Sequence, residues 1–164
     1  MNDPQNFPYA TFLDIKFPAL AKVDVPALVK ACTDRWYNQT LCKVNDSVIR
    51  LGVMQGEYHW HKHENDDEFF FVLDGHFIID LEDKSIDLQS REGFVVPKGV
   101  LHRTRAPDPA VILMVETAAI VPTGDALLFA AANGGGPSWL QSARLVAAVA
   151  ELGSLGGQSM TSGR

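Results

Sequence analysis

From Thr40 onward the hydrophobic positions come in short runs separated by Gly, Asp, Asn and Pro, a spacing that suits strands better than helices. Leu41-Cys42-Lys43-Val44, an Asn45-Asp46 turn and residues 47–54 read as a hairpin, broken at Gly56. Residues 69–73, an Asp74-Gly75 turn, residues 77–81, a Glu82-Asp83-Lys84 turn and residues 85–88 continue as a β-meander. Residues 94–96 and 111–116 add two more strands. This pattern predicts an all-β domain, an antiparallel sandwich or barrel.

The flanks follow other rules. Residues 1–17 are turn-rich and aromatic, and Pro4, Pro8 and Pro18 discourage a long regular element, so an arm is expected. Asp24-Val25-Pro26 starts a short helix through residues 27–31, with Asp24 as its cap. Beyond Pro122-Thr123-Gly124-Asp125 the chain turns Ala-rich and crosses Gly134-Gly135-Gly136-Pro137. Ser138 then caps an expected amphipathic helix over residues 138–152, with Leu145, Val149 and Leu152 on one face, and residues 153–164 form a Gly/Ser-rich tail. The expected organisation is an arm with a short helix (1–39), a β-barrel (40–125) and a C-terminal extension (126–164).

Composition narrows the partners. The chain has 164 residues, enough for one domain with a sizeable core, and a formal net charge of -6 that argues against nucleic acid. No apolar run approaches the roughly 20 residues a membrane helix requires, and the start lacks a secretory h-region. A cytoplasmic protein that meets small molecules and not membranes is expected. Cys32 and Cys42 are too few for a disulfide framework, and reduced thiols are the default.

The candidate chemistry lies in His59-Trp60-His61-Lys62-His63, followed by an acidic run that ends at Glu68. Side chains on a strand alternate with a period of two, so His59, His61 and His63 would share a face, with Trp60 turned away from them. Imidazole and carboxylate together suit Fe, Mn, Ni, Cu, Co or Zn. Glu68 is the carboxylate of choice, and His102, after the turn Pro97-Lys98-Gly99, offers a further nitrogen.

These residues carry a resemblance to the cupin superfamily, in particular its small bacterial members described as mannose-6-phosphate-isomerase-like. His61-x-His63, four residues, Glu68, six residues and Gly75 fit the family's first motif, with Gly56 displaced by one from its leading glycine. Pro97-x-Gly99, two residues and His102 fit the second; Arg91 stands at its leading glycine and Ala106 at its final asparagine. The resemblance covers residues 24–125. It implies a double-stranded β-helix, or jelly roll, usually a homodimer, with His61, His63, Glu68 and His102 binding one divalent transition metal per chain. Iron is favoured over Mn, Ni, Zn, Co or Cu.

His59 then falls outside the ligand set, as a pocket residue and a candidate acid, base or substrate contact that Glu57 could orient. Phe70 and Val72 share parity with Glu68 and, with Met114, are candidates to line the substrate cavity. Asp66 and Asp67 read as solvated turn residues, and Arg50, Arg103 and Arg105 as surface cations. Three histidines and one carboxylate leave coordination positions open, as catalytic metals require. The expected function is a metal-dependent enzyme on a small polar organic substrate, foremost a non-haem Fe(II)-type dioxygenase. A metal-dependent isomerase or lyase, or a ligand-binding module without turnover, are the alternatives.

Overall fold

The computed structural model describes residues 9–122 and 124. The expected helix at 138–152, the tail at 153–164 and residues 1–8 of the arm lie outside them. A short strand β1 (Ala10–Phe12) and helix α1 (Val25–Ala31) precede seven strands: β2 (Trp36–Val44), β3 (Ser47–Glu57), β4 (Glu68–Asp74), β5 (His76–Leu81), β6 (Ser85–Gln89), β7 (Gly93–Val96) and β8 (His102–Thr117). Asp24 caps α1 as expected, accepting the Ala27 N–H at 3.0 Å. The arm is less irregular than its prolines implied, because β1 pairs in parallel with β2. The strands also begin before residue 40, at Trp36, whose side chain is buried. No helix among the described residues is long and apolar enough to cross a membrane.

The architecture turns on β8. Its C-terminal half pairs with β3 on one side and β4 on the other, while its first residues, 102–105, pair with β5, and Arg105 and Ala106 also meet the end of β3. Exposed Pro107, Asp108 and Pro109 separate the halves. Proline cannot donate to a ladder, so the strand bends there and passes from one sheet to the other. The sheets run β1-β2-β3-β8-β4-β7 and β8-β5-β6.

This corrects the expected meander. β4 and β5 flank the Asp74-Gly75 turn but do not pair with each other; each takes a different half of β8. The turn therefore crosses the β8 bend, where Gly75 has a φ of 88° and a Cβ would lie 2.7 Å from the Pro109 carbonyl oxygen. The hairpins at Asn45-Asp46 and Glu82-Asp83-Lys84 form as expected. Alternate residues of β4 and β8 point inward, and Trp36, Phe70, Val72, Phe77, Ile112 and Met114 belong to one buried cluster. The polar end of that interior holds the site.

Candidate metal centre

The histidine segment is extended but is not the expected strand. Residues 58–67 carry a single bridge, His61 to His102, in which each N–H reaches the other carbonyl at 2.9 Å. The Tyr58 N–H adds a bond to the Thr104 carbonyl at 2.8 Å. Period-two alternation survives without a full ladder, because these bonds hold the segment straight against the first turn of β8. His61 and His63 are buried. The Gly99 N–H donates to the His63 carbonyl at 2.6 Å, tying the Pro97-Lys98-Gly99 turn to the same segment. Glu68 opens β4 opposite Val96, and His102 opens β8.

One nitrogen or oxygen from each of His61, His63, Glu68 and His102 lies within 4.8 Å of the others, and all four residues are buried. Glu68 Oε2 stands 3.3 Å from His102 Nε2 and 3.5 Å from His63 Nε2. Two imidazoles are set from behind: His61 Nδ1 is 3.0 Å from the His59 carbonyl and His102 Nδ1 is 3.1 Å from the Val100 carbonyl. A carbonyl only accepts, so each Nδ1 carries the proton and each Nε2 keeps its lone pair for a metal. His63 Nδ1, Glu68 Oε2 and His102 Nε2 are buried without a hydrogen-bond partner. Buried polar atoms are rarely left so, and a cation among them would resolve the deficit at Glu68 Oε2 and His102 Nε2.

Protonation favours the same reading. Burial, then the neighbouring His102, lowers His61 to about 3, which keeps its imidazole neutral. Burial alone would raise Glu68, but His102 and His63 beside it hold the carboxyl below the usual range. Neutral imidazole and ionised carboxylate are the forms that ligate.

A cavity with an envelope of about 360 Å³, including its open mouth, reaches this cluster and has His61 and Glu68 in its wall. Phe70 and Met114 line it. Val72 does not; it lies in the apolar core, fully buried. The His59 ring is also absent from the cavity wall and stands 4.2 Å from the Tyr58 ring, while its carbonyl orients His61. Glu57, a candidate to orient His59, instead meets Arg103 at 3.0 Å. Trp36, Asn38, Met54, Tyr58 and Thr104 join the wall without having been singled out from sequence. Thr104 had a signal, the parity of His102 along one strand; Asn38 and Trp36 lie on a strand whose inward face only its pairing reveals.

Trp60 faces away from the histidines and lies beneath the Arg103 guanidinium, 5.3 Å from the ring centroid. Arg50 is not the expected surface cation: it is 3% exposed and its Nε meets the Glu116 carboxylate inside the barrel. Burial and the Glu68 charge push Glu116 upward, and Arg50 opposes them. Arg103 and Arg105 both bind Asp80. Asp66 and Asp67 fasten the turn, accepting from the Thr117 hydroxyl and the Lys98 N–H. Cys32 and Cys42 are free thiols.

Fold and site together define an all-β jelly roll with a buried group of three histidines and one glutamate that could hold a metal ion. The Cupin domain family matches residues 49–116. YdbB of Bacillus subtilis (strain 168), an uncharacterized protein, is 40% identical over 91 residues, which are 55% of this chain and 80% of that one. A cupin-2 domain containing protein from Shewanella frigidimarina is 30% identical with a TM-score of 0.56, over 58% of this chain and 93% of that chain. Protein NMB1881 from Neisseria meningitidis is 25% identical with a TM-score of 0.53, over 58% and 98% respectively. The chain belongs to the cupin family.

Proposed function

We propose that the protein is a metal-dependent enzyme acting on a small polar organic molecule, foremost as a dioxygenase of the non-haem iron type. The observation that supports this reading is that His61 and Glu68 both form part of the wall of an open cavity. A molecule entering that cavity meets the donor group directly, whereas a purely structural metal site is closed by its ligands.

His61, His63, Glu68 and His102 would hold the ion and, on a six-coordinate metal, leave two positions for substrate and oxygen. Iron bound there supplies oxygen activation and polarises a coordinated substrate oxygen. The chain supplies the rest. The His59 and Val100 carbonyls fix two ring orientations. Phe70 and Met114 give the substrate a side that excludes water, with the Phe70 ring edge-on to His102 at 6.3 Å.

The test is metal content of protein purified without chelator, then offered iron, manganese, nickel and zinc, with His61→Ala and Glu68→Ala beside it. About one ion per chain in the wild type and far less in the variants is expected; no retained metal overturns the reading. Oxygen uptake by the Fe(II) form across enols, diketones and thiols, lost in His102→Ala, identifies the dioxygenase. Turnover of those compounds without oxygen uptake identifies an isomerase or lyase instead.

A further inference from the structure

We propose that the cavity selects a neutral molecule with a flat or apolar body and a hydroxyl group, and that Asn38 is the side chain that reads this hydroxyl. The inference rests on the enzyme reading above and names the substrate class of that same site.

Beyond the two ligands, the cavity wall is divided. Trp36, Met54, Phe70 and Met114 make it apolar, with aromatic faces and thioethers suited to a flat body. Its polar atoms come from neutral side chains, Thr11, Asn38 and Thr104, and from Tyr58, whose hydroxyl already donates to the Pro122 carbonyl at 3.2 Å. Among the described residues no lysine or arginine is in the wall. Arg50, four residues along the neighbouring strand from the Trp36 partner Met54, is held by Glu116 and is not in the cavity wall.

A carboxylate or phosphate placed against this wall, away from the metal, would lose water and gain no cation. A neutral hydroxyl loses far less and finds Asn38. Its Oδ1 is buried without a hydrogen-bond partner. Neither neighbour in the ladder bonds it: on the β3 side Asn38 pairs across from Gly52, where the Met54 side chain fills the space a side chain would take, and on the β1 side it pairs across from Thr11, which also leaves Oδ1 without a donor. A hydroxyl both donates and accepts, so it satisfies the amide whichever way the amide is turned.

Zinc-loaded protein, which is redox-inert, is titrated calorimetrically with catechol and with 3,4-dihydroxybenzoate, the same body carrying an added carboxylate. Catechol is expected to bind at least about tenfold more tightly, since the added charge goes unpaired. Asn38→Leu, which keeps the branching at Cγ but has no polar atom, is expected to weaken catechol by about five- to tenfold, and Asn38→Ser, which keeps a hydroxyl, by less. Both variants should retain zinc as the wild type does. Equal or tighter binding of dihydroxybenzoate, no binding of either compound, or undiminished catechol binding by Asn38→Leu overturns the inference. A wild type that holds no zinc fails the enzyme reading instead, and the metal assay made before titration separates the two failures.

Discussion

His61 and His102 exchange both backbone hydrogen bonds of a single antiparallel bridge, which sets their rings 4.3 Å apart between centroids. Forty-one positions of chain separate them, and two sheets must form before the bridge can close. The donor group therefore exists only in the folded state, and a metal that binds it stabilises the fold by mass action. At free metal about a hundredfold above Kd this amounts to about 2.7 kcal/mol. Adding a chelator should lower Tm by roughly 5–10 °C for a chain of this size. Calorimetry of loaded and stripped protein checks it, and His102→Ala should remove the difference between the two.

The site was legible in sequence because its spacing is local: His61, His63 and Glu68 follow one another in an extended segment, and His102 follows a Pro-x-Gly turn. What stayed hidden depends on pairing between distant strands. Asn38 and Arg50 acquire inward faces only through the β2–β3 and β3–β8 registers, and nothing near Arg50 in sequence announces Glu116. The meander failed for the same reason. A turn signal at Asp74-Gly75 says that the chain reverses, not that the strands beside it pair, and the long bent β8 took both partners. For Val72 and His59, parity gives a side of the chain but not the depth of the cavity.

Gly75 should tolerate no side chain. Alanine there meets the Pro109 carbonyl and the Ala110 Cα, both backbone, at a φ of 88° that L residues rarely adopt. Strain of about 1–2 kcal/mol from the dihedral adds to the collision. Gly75→Ala should cost about 3 kcal/mol or more in urea unfolding, with a cost below about 1 kcal/mol contradicting the close approach of Gly75 to the β8 bend.

Arg91 presents the reverse case. It occupies the place of the family's leading glycine and has a φ of 74°, the left-handed region, while its N–H donates to the Val72 carbonyl at 2.7 Å. Arg91→Gly relieves the dihedral strain but gives the unfolded chain more freedom, so the expected gain is only about 0.5–1 kcal/mol. Tm should rise by roughly 1–4 °C. A fall in Tm would show that the arginine side chain stabilises the turn by more than its backbone strains it.

Asp80 sets an acid limit on stability away from the metal centre. Arg105, with Ser85 and Arg103, holds its carboxyl down at about 2, below an ordinary 3.8, against the opposing effect of burial. A depressed carboxylate contributes stability that is full above the unfolded value and is lost as pH falls through the folded one, here from about 4 to 2. Both arginines are about a third exposed, so solvent reduces the contribution to about 1 kcal/mol. Asp80→Asn should therefore lose about that much at pH 7 and well under half of it at pH 2, as followed by urea midpoints in stripped protein. An equal loss at both pH values would assign the effect to packing.

Arg50 and Glu116 form an ion pair inside the barrel, each side chain 3% exposed. Glu116 also lies close enough to Glu68 for the two carboxylates to repel. Removing only the arginine takes away what opposes the upward push on Glu116, so its carboxyl takes a proton beside Glu68 and the buried ion pair with the guanidinium is lost; Arg50→Met should destabilise by about 2–3 kcal/mol. Replacing both partners changes the balance. Arg50→Met with Glu116→Leu discards two desolvated charges at once, and apolar replacements of buried pairs are often neutral or stabilising. The double variant should regain most of the lost stability, giving a coupling of at least about 2 kcal/mol in a double-mutant cycle. Additive losses would mean that the two charges act independently. Metal content of the double variant supplies the second readout: His61, His63, Glu68 and His102 are unchanged, so zinc should still bind, and its loss would place the ion pair among the groups that hold Glu68 in position.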